Sequence, residues 1–305
     1  MNYAQLLFPD FSLIVLGYVL CRFSPLNRSV WQGVEALVYY LMFPVLLFHS
    51  IVKSPLDWGS TSHLIGAGVL TGLVGIALSY SVPHWPLLRG HMSRQDHAAA
   101  AQVAFRFNSF IGLALAERLA GAQGLVLISV LIGFCVPLFN IAAVWPMARG
   151  GQSNFWQQLL RNPLVVATLG GLLANILGFR VPTWIAPSLD RIGAAAIGLG
   201  LLSAGAGLQL GMLTHAKRLS LAVLGIRHVL MPLVAMGCAL LLGLQGEQAV
   251  VLLMFAALPT ASSCYVLAAR MGFNGAYVAG LVTVSTLLGV FSLPFALQLQ
   301  HMLSQ

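Results

Sequence analysis

Charge is what this sequence has least of. Only 7% of its 305 residues are Asp, Glu, Lys or Arg, against roughly a quarter in an ordinary soluble domain. With 59% hydrophobic residues and a mean hydropathy of +0.89, the chain is not built for water on all sides. Acids are scarcest. Asp10, Glu35, Asp57, Asp96, Glu117, Asp190 and Glu247 all sit near the ends of apolar runs, so no mid-membrane carboxylate pair is available to bind sodium or relay protons. Cys21, Cys135, Cys238 and Cys264 fall in four separate runs with no CxxC spacing, which supports neither a zinc site nor a disulfide framework. GxSxG, HExxH and P-loop lysine motifs are absent, and hydrolase, zinc-protease and ATP-driven pump chemistry go with them. The sequence reads as a non-enzyme with no cofactor and no bound metal. The first apolar run lacks a basic segment before it and carries Asp10, so it reads as a retained span and not as a signal peptide. The 15 Lys and Arg stand singly or in pairs without a basic stripe, which gives no support to a nucleic-acid partner.

What is present is long apolar runs from one end to the other. A window of about 17 to 25 residues places spans near Tyr3–Cys21, Val30–Val52, Leu64–Val82, Ala98–Leu119, Leu125–Ala148, Pro163–Leu177, Ile192–Leu210, Leu219–Leu242, Ala249–Ala269 and Ala276–Leu299. The connections, such as CRFSPLNR, PHWPLLRGHMSRQD, RGGQSNFWQQLLRN and THAKRLS, are too short and polar to form a domain. Loops after odd-numbered spans hold Arg22, Arg28, Arg89, Arg94, Arg149, Arg161, Lys217, Arg218 and Arg270, and the other side holds Lys53, Arg118, Arg180 and Arg191. The positive-inside bias puts the first group in the cytoplasm and both termini on the opposite side.

Sliding the chain on itself by 152 residues lays Asn108–Arg118 over Thr260–Arg270. Span four thereby pairs with span nine. Because five spans is an odd number, the halves 1–150 and 151–305 cross in opposite senses, the inverted-repeat plan of many carriers. In such proteins the site lies where helices are interrupted, since unpaired backbone survives in a membrane only when packed in protein or lining a wet cavity. Pro259 stands mid-span and is followed by Thr260, Ser262, Ser263 and Tyr265. It reads either as an ordinary kink with the hydroxyls bonded back to helix carbonyls, or as a break with polar groups at a site. Span four offers Arg106, Asn108 and Ser109 but no proline. Arg106 and Arg227 each lie roughly eight residues, about 12 Å, into their spans, too deep to reach an interface without snorkelling. For Arg227, with His228 beside it and Pro232 beyond, a substrate or gating role competes with a structural one, bonded to carbonyls that a proline frees. Deep cations, amides, hydroxyls and helix N-termini together favour an anionic substrate.

Other patterns carry less. Ser203, Gly207 and Gly211 give span seven a small-residue face for helix packing. Asn27-Arg28-Ser29, His91 with Asp96, and Gly68 with Gly72 match a sequon, an acyltransferase spacing and GxxxG, and are set aside as accidental.

Several stretches together resemble the auxin efflux carrier family of plants and its bacterial relatives, within the bile acid/auxin/arsenite transporter superfamily. They are Leu37–Pro44, Asn108–Gly112, Arg161-Asn162-Pro163, and Pro259–Ser263 with Tyr265–Ala268, in an order and spacing that cover nearly the whole chain. The resemblance implies an all-α integral membrane protein of ten helices in two inverted five-helix repeats, with broken helices four and nine crossing at mid-membrane. Helices one, two, six and seven would form a scaffold and homodimer contact, and the rest a transport part moving as an elevator in a bacterial cytoplasmic membrane. Asn108, Ser109, Pro259, Thr260, Ser262 and Ser263 would flank the substrate, joined on chemical grounds by Arg106, Arg227 and Tyr265. The plant members of the family it resembles have a proline next to the Asn of span four, whereas Phe107 stands before Asn108 here. The function expected is transport of a small organic anion by alternating access. A sodium-coupled symporter of the bile-acid type and a non-transporting membrane receptor are the alternatives.

Overall fold

The computed structural model describes residues 3–53, 58–86, 88, 92–147, 163–208, 216–261 and 263–303. Arg161, Asn162 and Ser262 lie outside the described residues, as do Asp57, Arg89, His91, Arg149 and Gly211. Among those described the protein is all-helical, with no strand. Eleven helices follow in order: α1 (Tyr3–Phe23), α2 (Arg28–Lys53), α3 (Trp58–Ser81), α4 (Arg94–Ala100), α5 (Ser109–Val144), α6 (Pro163–Ile176), α7 (Ala186–Ala206), α8 (Lys217–Leu241), α9 (Gly246–Ala257), α10 (Ser263–Arg270) and α11 (Gly275–Leu303). By length and composition six helical stretches are long and apolar enough to cross a membrane, and α6 and α9 are shorter apolar helices. Two of the expected spans are interrupted, and the second arm of span four runs on into span five as one bent helix.

Local chemistry explains the ends. Asn27 Oδ1 accepts from the Ser29 and Val30 amides and starts α2, so the sequon asparagine serves as an N-cap. Ser93 Oγ does the same for Gln95 and Asp96 at the start of α4. Gly243 and Gly272 close α8 and α10 at φ 65° and 79°, with the following amides of Leu244 and Phe273 bonded back to Ala239 and Ala268 in the manner of glycine caps. The bend inside α5 falls at Ala120 and Gly121.

Among the described residues α1 lies along α7, and α2 lies against α6 and α7. The long α5 packs on α3 and α9 and also on α6 and α7, α8 packs on α3 and α9, and α11 on α9 and α10. Gly68 and Gly72, set aside on sequence grounds, seat Leu131 and Phe139 of α5, so this GxxxG serves packing within the chain. Span seven packs closely on α1 through Gly205, which is not one of the Ser203, Gly207 and Gly211 positions read from the sequence. A methyl on Gly205 would lie 1.7 Å from the Ile14 carbonyl oxygen, and one on Gly17 would lie 1.9 Å from that of Leu202. Neither contact can relax by a rotamer change, because backbone meets backbone. Gly205→Ala is therefore expected to destabilise the protein by about 1 to 3 kcal/mol or more, read as a lowered melting temperature in detergent. Gly198→Ala on the same helix, where a methyl meets nothing within 4 Å, should leave it unchanged.

Candidate functional site

Both interruptions are real breaks, and they meet. The α4 helix tightens into a 3-10 turn over Ala101–Ala104 and stops, and α5 begins at Ser109. No proline is needed. The Asn108 amide donates to the Pro259 carbonyl at 2.8 Å, where a continuous helix would bond to its own preceding turn. The Asn108 side chain then accepts from Phe110 and Ile111 at 3.0 and 3.3 Å, capping the new helix. The Phe107 ring packs against Phe255 with centroids 4.6 Å apart. On the other chain segment, α9 ends at Ala257 and α10 starts at Ser263. Thr260 spans the gap, its hydroxyl donating to the Val103 carbonyl at 2.7 Å and its amide to Ser285 Oγ at 2.9 Å. The Asn108 and Thr260 amides and the Val103 and Pro259 carbonyls thus find partners at the other break or on α11.

A cavity of about 180 Å³ opens beside this crossing. The start of α5 contributes Asn108, Ser109 and Phe110, and the residues leading into α10 contribute Ala261 and Ser263. Arg106 adds a cation, held by two neighbours. Its guanidinium donates to Gln102 Oε1 at 2.8 Å and to Ser263 Oγ at 2.9 Å. The buried Gln102 is fixed in turn, because its amide donates to the carbonyls of Ala99 and Cys264 at 3.1 Å. The amides of Phe110 and Ile111 being taken by Asn108, the α5 terminus offers an anion its dipole field and the Ser109 hydroxyl.

Arg106, Asn108, Ser109 and Ser263 are therefore brought together at one cavity. Pro259 and Thr260 are buried at the crossing behind it. Two of the chemically chosen residues are placed elsewhere. Arg227 is 1% exposed and donates to the main-chain carbonyls of Leu258 (2.6 Å), Phe255 (3.1 Å) and Phe105 (3.5 Å). Tyr265 accepts from Arg28 Nη2 at 2.7 Å, and Arg28 also forks onto Glu35. Neither is among the residues lining the cavity. Depth in a span placed Arg227 at mid-membrane, but depth does not say which side of a crossing a side chain takes.

Sequence reasoning missed Tyr39, Phe139 and Asn140, which also line the cavity. Asn140 had a readable signal, a lone amide in the apolar run Cys135–Val144. Its side chain has no hydrogen-bond partner among the described residues. Tyr39 had none. It is offered to the cavity from a π-turn over Val38–Met42, a local widening common at functional sites that a period-3.6 reading does not see.

Residues 146–297, the second half of the chain, match the family model described as membrane transport protein. The chain belongs to that family. It is a membrane transporter, not an enzyme, and the resemblance to the auxin efflux carriers holds. The transporter is 27% identical over 286 residues to an "Uncharacterized transporter" of Methanothermobacter thermautotrophicus, covering 92% of this chain and 93% of that one. It is 25% identical over 305 aligned residues to a "Putative malonate transporter" of Rhizobium meliloti, covering 93% and 92%.

Proposed function

We propose that this transporter carries small organic anions, compact carboxylates of the malonate kind, by alternating access about the crossing of its two broken helices. In this reading the chain is a ten-span carrier of two inverted repeats, 1–150 and 151–305, with both termini outside the cytoplasm. The α1, α2, α6 and α7 group is a scaffold and dimer contact, and the remaining helices move against it with the substrate. One observation carries the proposal: a single cavity receives the N-termini of α5 and α10 together with the Arg106 guanidinium. Three sources of positive potential converge there, and a carboxylate is the chemistry that answers them. No carboxylate stands among the described residues lining the cavity, which favours uniport or exchange over proton coupling through an acid. Pockets for drug-sized ligands run roughly 300 to 1,000 Å³, so a cavity of about 180 Å³ suits a compact acid better than an aromatic one.

Thermal shift on the purified protein tests the substrate class. A ligand that binds only the native state at about 100 times its Kd adds about 2.7 kcal/mol of stability, so malonate should raise the melting temperature in a saturable way while a matched neutral diamide does not. Asn140→Ala should weaken that response roughly tenfold in concentration, the loss of one hydrogen bond to a charged group. If no carboxylate from a broad panel shifts the melting temperature, the reading fails.

A further inference from the structure

Among the described residues Arg227 is the largest side chain buried to less than 2%, and no carboxylate pairs with it. A buried cation so placed needs compensation. It has it in an unusual form: its three acceptors are main-chain oxygens at the C-terminal ends of the two first half-helices, Phe105 after the 3-10 turn that ends α4, and Phe255 and Leu258 at the end of α9. These are the negative poles of the broken helices, where carbonyls run short of partners in their own helix; of the three, the Phe255 carbonyl also accepts from the Leu258 amide at 3.4 Å. The first residues of the second half-helices, Ser109 and Ser263, line the cavity, and Arg227 does not. The side chain reaches this place from a π-turn over Ile226–Leu230, whose widened geometry lets two consecutive residues point inward. His228 is the other, bonded to Ser285 at 2.8 Å and Ser292 at 2.9 Å. Ser285 in turn accepts from the Thr260 amide, and Ser292 donates to the Ala257 carbonyl.

Unwound carbonyls and half-helix C-termini are where carriers of interrupted-helix design hold a coupling cation. Here that place is filled by a covalently attached one. We propose that Arg227 is the fixed counter-cation of the crossing, a positioning residue and not a substrate ligand, which replaces a bound inorganic cation and makes carboxylate transport independent of sodium. Removing its side chain leaves a cage of three carbonyls shaped for a planar guanidinium ion.

The test uses the full-length protein. Arg227→Ala in detergent should melt well below the wild type, and millimolar guanidinium chloride should raise its melting temperature selectively over equal sodium or choline chloride, with no such rise in the wild type. In proteoliposomes, malonate flux by the wild type should be the same in sodium and in choline medium, and guanidinium should restore part of the flux lost in Arg227→Ala. Should Arg227→Ala fail to fold, Arg227→Lys decides. A positioning role lowers Vmax with KM changed less than about twofold, whereas a substrate ligand raises KM about tenfold or more, the change expected from one charged hydrogen bond. Absence of selective rescue in a folded Arg227→Ala, a KM rise in Arg227→Lys, or a sodium requirement in the wild type each overturns the inference. The flux arm presupposes the carrier and the melting arm does not, so a protein that is rescued thermally yet moves no malonate would fault the substrate reading alone.

Discussion

Arg106→Ala is expected to reduce saturable malonate flux by roughly tenfold to a hundredfold, the range given by loss of hydrogen bonds to a charged group at about 1.5 to 3 kcal/mol. The reason is position more than charge. Arg106 is half-buried at the cavity, and its fork is aimed by Gln102 on one side and Ser263 on the other. It therefore meets a carboxylate with little side-chain entropy left to lose. Arg106→Lys keeps the charge but not the planar fork, and should fall between the wild type and alanine. Gln102→Leu tests the aiming. The leucine fills the buried space but removes the acceptor for Arg106 and the bond to the Cys264 carbonyl, so KM should rise while the protein still inserts and folds. Kinetics in proteoliposomes, with Vmax and KM separated, read all three. Equal flux in Arg106→Ala and the wild type would remove Arg106 from the site.

The largest effect on stability is expected at Arg118. Asp10, 3% exposed within α1, accepts from Arg118 Nε and Nη2 at 2.6 and 2.7 Å, a bidentate pair that ties α1 to the first arm of α5. Arg118→Ala strands a buried carboxylate, and breaking such pairs costs roughly 3 to 5 kcal/mol. Because Arg118 keeps about a third of its side chain exposed (32%), the lower end of that range applies. The double variant Asp10→Leu with Arg118→Ala should be more stable than Arg118→Ala alone, since it leaves no unpaired charge. Melting temperatures of the three proteins in one detergent decide this. A double variant as unstable as the single one would mean that packing around Arg118, and not the pair, holds the helices together.

These residues also mark what was legible before the fold was known. Apolar length found the helices because a membrane demands it of every span. The break at Pro259 was legible for the same kind of reason, proline removing a donor. The break at Asn108 was legible through its relation to Thr260 across the 152-residue repeat. What made it a break without proline was not. The Asn108 amide turns to Pro259, a partner far off in sequence, and no local pattern encodes that bond. Arg227 was legible as a deep charge, but its partners were not, because they are main-chain carbonyls, which every residue carries. Asp10 read as a charge near a span end, yet it is buried against Arg118. Tyr39 was invisible as a site residue, since one π-turn rotates the face that a helix presents.

The most direct test of the carrier reading is counterflow. Proteoliposomes preloaded with unlabelled malonate and diluted into labelled malonate should transiently accumulate label above equilibrium with the wild type, far more slowly with Arg106→Ala, and not at all with protein-free vesicles. Alternating access at one site requires that overshoot. Its absence for malonate and for every other small carboxylate tried, in vesicles shown to hold folded wild-type protein, would contradict the account.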